Sequence, residues 1–106
     1  MSREELKGHL DLLLLATLRD RELHGYALIE ELKRGSGGTF DLPEGTIYPA
    51  LHRLERGGLL SSRWSSESGR RRRVYMLTRK GADALDERRR AWKQFARGVD
   101  LVVQEA

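Results

Sequence analysis

The sequence predicts a mainly α-helical domain with one β-hairpin and a long C-terminal helix, and three observations support that fold class. Leucines recur at helical spacing between residues 4 and 19, and apolar residues recur every seven positions from Leu85 onward. Glycine clusters at 35–38 and 57–58 cut the middle of the chain into short amphipathic segments. Residues 59–66 and 71–78 are rich in β-favouring side chains and flank a turn containing Gly69.

Composition sets the outer limits. A chain of 106 residues is one domain's worth, with a modest core. At 39% hydrophobic and 34% charged, it is too apolar and too regularly patterned for disorder. A net charge of +4 and a pI near 9.8 permit a polyanionic partner without identifying one. The absence of cysteine excludes disulfides and thiolate metal sites and is compatible with a reducing compartment. The longest apolar run, Leu12 to Ala16, is far short of the roughly 20 residues that span a bilayer. Acidic Glu4, Glu5 and Asp11 flank and interrupt that segment, unlike the pattern of a signal peptide. A soluble cytoplasmic protein with no membrane association is expected.

In the first segment Leu6, Leu10, Leu13, Leu14 and Leu18 share a stripe, which Leu12 and Leu15 widen towards all-round burial. Such a helix is wrapped by others, and its leucines are core. Arg19-Asp20-Arg21-Glu22 is a charged break leading to His24-Gly25, where a second helix begins. Its apolar face is expected to hold Tyr26, Ile29 and Leu32, with Leu28 beside them. GSGG at 35–38 ends it, and Asp41 with Glu44 three residues later reads as a capping box opening the third helix.

That third helix, within GTIYPALHRLERGGL at 45–59, has two incompatible faces. Ile47, Ala50, Leu51 and Leu54 fall on one side, while Thr46, Tyr48, Pro49, His52, Arg53 and Arg56 fall on the other. Donors, fixed positive charges and an aromatic ring are the mixture a helix needs against phosphates and base edges in a major groove. An ordinary solvated amphipathic helix would show the same pattern, so the neighbouring elements decide. Gly57-Gly58 stops the helix by supplying left-handed backbone.

Two helices joined by a glycine-rich turn, the second bearing the polar face, form a helix-turn-helix arrangement. The hairpin follows it. Leu60 and Trp64 are expected to face inward with Ser62 between them, and Val74 and Met76 alternate with Arg73, Tyr75 and Leu77. Arg70 to Arg73 then lie at the tip and the start of the return strand. A basic hairpin beside a polar helix defines a winged helix-turn-helix, whose tip arginines reach phosphates or the adjacent minor groove. The alternative for these arginines is a solvated run that keeps an edge strand from pairing with other chains.

Thr78 is the expected N-cap of a last helix reaching about residue 103. Leu85, Trp92 and Val99 recur every seven residues, with Phe95 and Val102 at a second seam position and Ala96 and Val103 beside it. A chain this small has little else to cover the distal apolar residues, so a two-fold dimer is expected. Residues 1–78 then form the DNA-binding domain and 79–106 the dimerisation helix. Back-packing on the first helix would use Ala82 and Leu85.

Over nearly its whole length the chain resembles the PadR-like transcriptional regulators, in the small subclass with a single C-terminal helix. The resemblance is carried by HGYALIEEL at 24–32, EGTIYPALHRLERGGLL at 44–60 and GRRRRVYMLTRKGADAL at 69–85. Tyr48-Pro49 is the most telling part, because an interior proline loses a backbone hydrogen bond and crowds the carbonyl of Gly45. The resemblance implies a homodimeric bacterial repressor whose recognition helices enter successive major grooves of a pseudo-palindromic operator in double-stranded DNA. It further implies that Thr46, Tyr48, Pro49, His52 and Arg53 face the groove, Tyr26 lies near a phosphate, and Arg71 and Arg72 act from the wing; Arg70 joins the DNA-contacting candidates by its place at the hairpin tip. Some relatives bind flat aromatic compounds between C-terminal helices, and Trp92, with Phe95, matches that position. Packing in a dimer core is the simpler role for Trp92.

An enzyme is disfavoured: the sequence has no phosphate-binding loop, no HExxH pair and no Ser-His-Asp grouping, and no cofactor is expected. His9, His24 and His52 are scattered over three segments, with His24 read as a turn residue. A metal-responsive regulator using His9 with Asp11, Glu4 or Glu5 from two subunits is one alternative, although no metal is assigned. A winged helix used only for protein contacts is another.

Overall fold

The computed structural model describes residues 3–104 as four α-helices and a three-stranded antiparallel sheet. The helices are α1 (Arg3–Thr17), α2 (Gly25–Gly35), α3 (Glu44–Arg56) and α4 (Arg79–Val103). The strands are β1 (Leu23–His24), β2 (Leu60–Ser65) and β3 (Arg72–Leu77), with β3 in the centre. Residues 1–2 and 105–106, the outer ends of the two expected domains, lie outside the described residues, as do the side chains of Glu4 and Glu5.

The leucines of α1 make the centre of the core. Leu10, Leu14, Leu15 and Leu18 are buried against Leu28, Ile29 and Leu32 of α2 and Ile47, Ala50, Leu51 and Leu54 of α3. Thr17 is buried among them, and its hydroxyl donates to the Leu13 carbonyl at 2.7 Å, which meets its hydrogen-bonding need inside the helix. Arg21 Nε donates to the Thr17 carbonyl at 2.7 Å and so closes the end of α1. Tyr26, expected on the core face of α2, is instead 58% exposed, because it sits in the first turn where the helix emerges from the sheet.

Helix α3 starts differently from the expected capping box. Pro43 is the N-cap, and its carbonyl accepts from the N–H groups of Thr46 at 3.0 Å and Ile47 at 3.2 Å. Asp41 lies two residues before that cap, 3.7 Å from Lys33 Nζ. A proline at this position fixes the extended backbone of the cap, which leaves the carboxylate out of reach of the first turn. At the other end the expected left-handed backbone falls on Gly58 alone, with φ +80°, while Gly57 stays right-handed at φ −77°; the N–H groups of Gly58 and Leu59 reach back to the carbonyls of Glu55 and Leu54, both at 3.0 Å.

β1 was not expected. Its two residues pair with β3, Leu23 opposite Tyr75 and His24 opposite Val74, and so join the start of α2 to the hairpin. In the hairpin, Leu60 opposes Leu77, Ser62 opposes Tyr75 and Trp64 opposes Arg73, all on one face. Burial fades along that face. Leu60 and Tyr75 are buried, but Trp64, expected to point inward, is 53% exposed because the hairpin has by then run past the helices.

The start of α4 locks these parts together. Thr78 caps it as expected: its hydroxyl accepts from the Gly81 N–H at 3.0 Å while donating to the Gly58 carbonyl at 2.6 Å. Gly81 lies so close to the backbone of Leu59 that a Cβ would collide with its carbonyl. Leu85, expected at a dimer seam, is a correction: it is buried in the core of its own chain and offers a partner nothing. Beyond it α4 meets α1 through Arg88 and Trp92 and then carries exposed Leu101, Val102 and Val103 at its end, in a molecule with extents of 57 × 27 × 22 Å.

Candidate nucleic-acid interface

The apolar positions of α3 face the core, and that turns Pro49, His52, Arg53 and Arg56 outward, all exposed, with Thr46 and Tyr48 half-buried at the margins. Pro49 costs little here, because the carbonyl it leaves unpaired belongs to exposed Gly45 and meets solvent. Tyr48 lies across Gly25, where any Cβ would strike its ring. Burial, and secondarily the charge of Glu44, raise the pKa of its phenol, so the hydroxyl stays protonated and available as a donor.

Arg53 is not free. Its guanidinium pairs with Asp11 of α1, whose other oxygen lies 3.4 Å from Arg88 Nη1 of α4, an ion pair without hydrogen-bond geometry. Arg53 remains 53% exposed in its side chain, so it can meet DNA only by sharing or leaving that carboxylate. Arg56, which the sequence pattern put on the polar face but not in the base-contacting set, stands near the middle of the exposed arc beside Pro49 and His52.

The wing is tied to α3 through one carboxylate. Glu55 accepts from the Ser62 hydroxyl and lies 3.6 Å from Arg73 Nη2. Arg70 and Arg71 are exposed at the tip, past a turn that Gly69 makes with φ +71°. Arg72, expected as a free phosphate contact, is half-buried with Nη1 2.8 Å from His24 Nε2. That histidine is more than a turn residue: its Nδ1 caps α2 by accepting from the Ala27 N–H at 3.2 Å. Burial first, then the Arg72 charge, hold its pKa below the usual 6.5. Tyr26, Tyr48, Trp64 and the four arginines Arg70 to Arg73 line one open cleft of about 430 Å³ between the wing and the helices.

The expected dimerisation and ligand residues lie elsewhere. Trp92, Phe95, Val99, Val102 and Val103 are exposed along distal α4, with Ala96 half-buried. Trp92 meets His9 of α1 edge to face at 5.1 Å and lies 5.9 Å from the Phe95 ring, forming part of a groove of about 420 Å³. Among the described residues, no group of three or more His, Asp or Glu side chains is placed to hold a metal ion. Nor is any described helix long and apolar enough to cross a membrane.

A three-helix core, a polar helix turned to solvent and a hairpin with a basic tip define a winged helix-turn-helix protein. Residues 14–87 match the transcriptional regulator PadR-like family, and the chain belongs to it. The chain is 43% identical over 97 residues to the transcriptional regulator Rv3488 of Mycobacterium tuberculosis, covering 92% of this chain and 88% of that one. Among solved structures, a PadR-like transcriptional regulator from Bacillus cereus superposes with a TM-score of 0.85 at 29% identity, over 97% of this chain and 99% of that one. Bacillus subtilis PadR in complex with operator DNA matches with a TM-score of 0.67 at 28% identity, over 74% of this chain and 45% of that one. The family and these relatives are transcriptional regulators, and the chain is one of them rather than an enzyme.

Proposed function

We propose that the chain is a sequence-specific DNA-binding repressor that acts as a homodimer on a pseudo-palindromic operator. The observation that carries this is the division of α3: Ile47, Ala50, Leu51 and Leu54 turned inward, and Pro49, His52, Arg53 and Arg56 exposed beside a wing with Arg70 and Arg71 at its tip. A relative solved on operator DNA supports the same use of the fold. Residues 1–78 supply the DNA-binding part, with Tyr26 at a phosphate, and 79–106 the dimerisation helix, whose exposed Trp92, Phe95, Val99, Val102 and Val103 stripe meets its copy. Two recognition helices held about 34 Å apart fit one repeat of the duplex.

Arg53 and Arg56 read base edges, and the wing arginines hold the backbone. Arg53→Ala or Arg56→Ala is expected to cost about 1–3 kcal/mol on operator DNA and relax preference at one base pair, whereas Arg71→Ala weakens all duplexes alike and lowers the salt dependence by one phosphate. Titration of the three variants on the protein's own upstream DNA and on a scrambled duplex checks this. Equal losses on both duplexes for all three would refute the division.

A second reading concerns release. The groove of Trp92, Phe95 and His9 suits a flat aromatic effector, which shifts the equilibrium only if it prefers the spacing that does not fit DNA. Aromatic compounds that neither quench tryptophan emission nor release operator DNA would remove this reading.

A further inference from the structure

Resting on the DNA-binding reading, we propose that Trp64 is the positioning residue of the wing: it holds the Arg71 guanidinium ordered and still fully charged, ready for a DNA phosphate. Arg71 Cζ lies 4.4 Å from the centroid of the indole and Arg73 Cζ lies 5.2 Å from it. Trp64 opposes Arg73 in register on one face of the hairpin, and Arg71, the residue just before β3 begins, brings its guanidinium over the same ring. The ring is 53% exposed and lines the basic cleft between the wing and the helices, so the core does not account for it.

Several of the arginines among the described residues are held by carboxylates. Arg53 is held by Asp11, Arg63 by Glu22 and Arg73 by Glu55. In each case the carboxylate that orders the side chain also offsets its charge in whole or in part. An indole orders a guanidinium through its π face and brings no charge, and stacking leaves the N–H donors in the guanidinium plane free to bind oxygen. Among the described residues, no carboxylate lies within ion-pair distance of Arg71. Arg73 links the stack back to Glu55 at the end of α3, so the position of Arg71 is set relative to the recognition helix. An ordered arginine loses less side-chain freedom when it meets a phosphate, and that difference appears as affinity.

Fluorescence-anisotropy titration of the full chain on duplex DNA from its own upstream region, at several salt concentrations, tests this. Trp64→Thr, which keeps a strand-forming residue, is expected to weaken binding about three- to tenfold, while Trp64→Phe retains most of the affinity because it keeps a π face. Arg71→Ala removes the guanidinium without touching the strand and should lower the salt slope, and Trp64→Thr should add almost nothing to it. Losses that multiply in the double variant, or unchanged binding by a folded Trp64→Thr, overturn the proposal while leaving DNA binding intact. Failure of the wild-type chain to bind any duplex overturns both.

Discussion

Up to Leu85 the chain buries an apolar side chain on nearly every turn of its helices, whereas from residue 86 to residue 104 no described residue is buried. The contrast is not one of composition. Leu15, Leu51 and Leu60 in the first region have counterparts of the same character in Phe95, Val99 and Val102, yet Val102 is 84% exposed and Leu15 not at all. The same hydrophobic effect is satisfied within the chain in one region and left open in the other. A radius of gyration of 15.1 Å, against about 13 Å for a compact domain of this length, measures how far distal α4 stands off. The globular part is a platform that closes its own apolar surface, and the projecting helix leaves an apolar stripe exposed.

The largest effect that could break this contrast is a truncation in the platform. Leu15→Ala should cost about 2–5 kcal/mol through lost burial and a residual cavity, at any protein concentration. Phe95→Ala should leave the stability of dilute protein almost unchanged and reduce it only where dimer forms, because mass action then enters the unfolding equilibrium. Thermal melts of both variants over a hundredfold range of concentration give the comparison. Concentration-independent losses of equal size would mean that distal α4 is covered by its own chain.

Next in size is a charge placed in the open stripe. Phe95→Asp puts an unpaired carboxylate where two helices would meet, and is expected to weaken self-association by about 100-fold or more. Light scattering reads the mass, and circular dichroism should show the helices retained. A variant that remains dimeric would place the interface elsewhere and remove the basis for spacing two recognition helices.

The same contrast explains what the sequence revealed. The helices and the hairpin were legible because glycine clusters bound periodic segments, and the split faces of α3 came directly from the spacing of Ile47, Ala50, Leu51 and Leu54. What escaped were features that depend on where the core ends. The seven-residue repeat runs unbroken from Leu85 to Trp92 and gives no sign that the first is fully covered by its own chain and the second only in part, by His9. Strand alternation put Trp64 on the face of Leu60 correctly, but alternation carries no information about how far the helices extend beneath the hairpin. β1, two residues long, is too short to show a period. The Asp11–Arg53 pair joins positions 42 residues apart, and nothing local signals it.

The smallest effect concerns the seam between α2 and the wing, where His24 serves both. Its Nδ1 accepts from Ala27, which puts the neutral ring's proton on Nε2 and turns that atom towards a guanidinium that also carries only donors. Burial and the Arg72 charge both resist a second proton, so the folded pKa lies below the ordinary 6.5. The unfolded chain therefore takes up a proton first. Stability should be full above about pH 6.5 and fall as pH drops through the window between that value and the depressed folded one. His24→Asn keeps an acceptor at the N-cap and removes the titration, so its stability should lose this dependence, a change of less than one proton per molecule. Denaturant melts of both proteins between pH 7.5 and pH 5.5 would detect it, other groups contributing equally to the two. Parallel pH profiles would show that protonation of His24 is accommodated in the fold, and that the platform's seam with the wing is looser than its core.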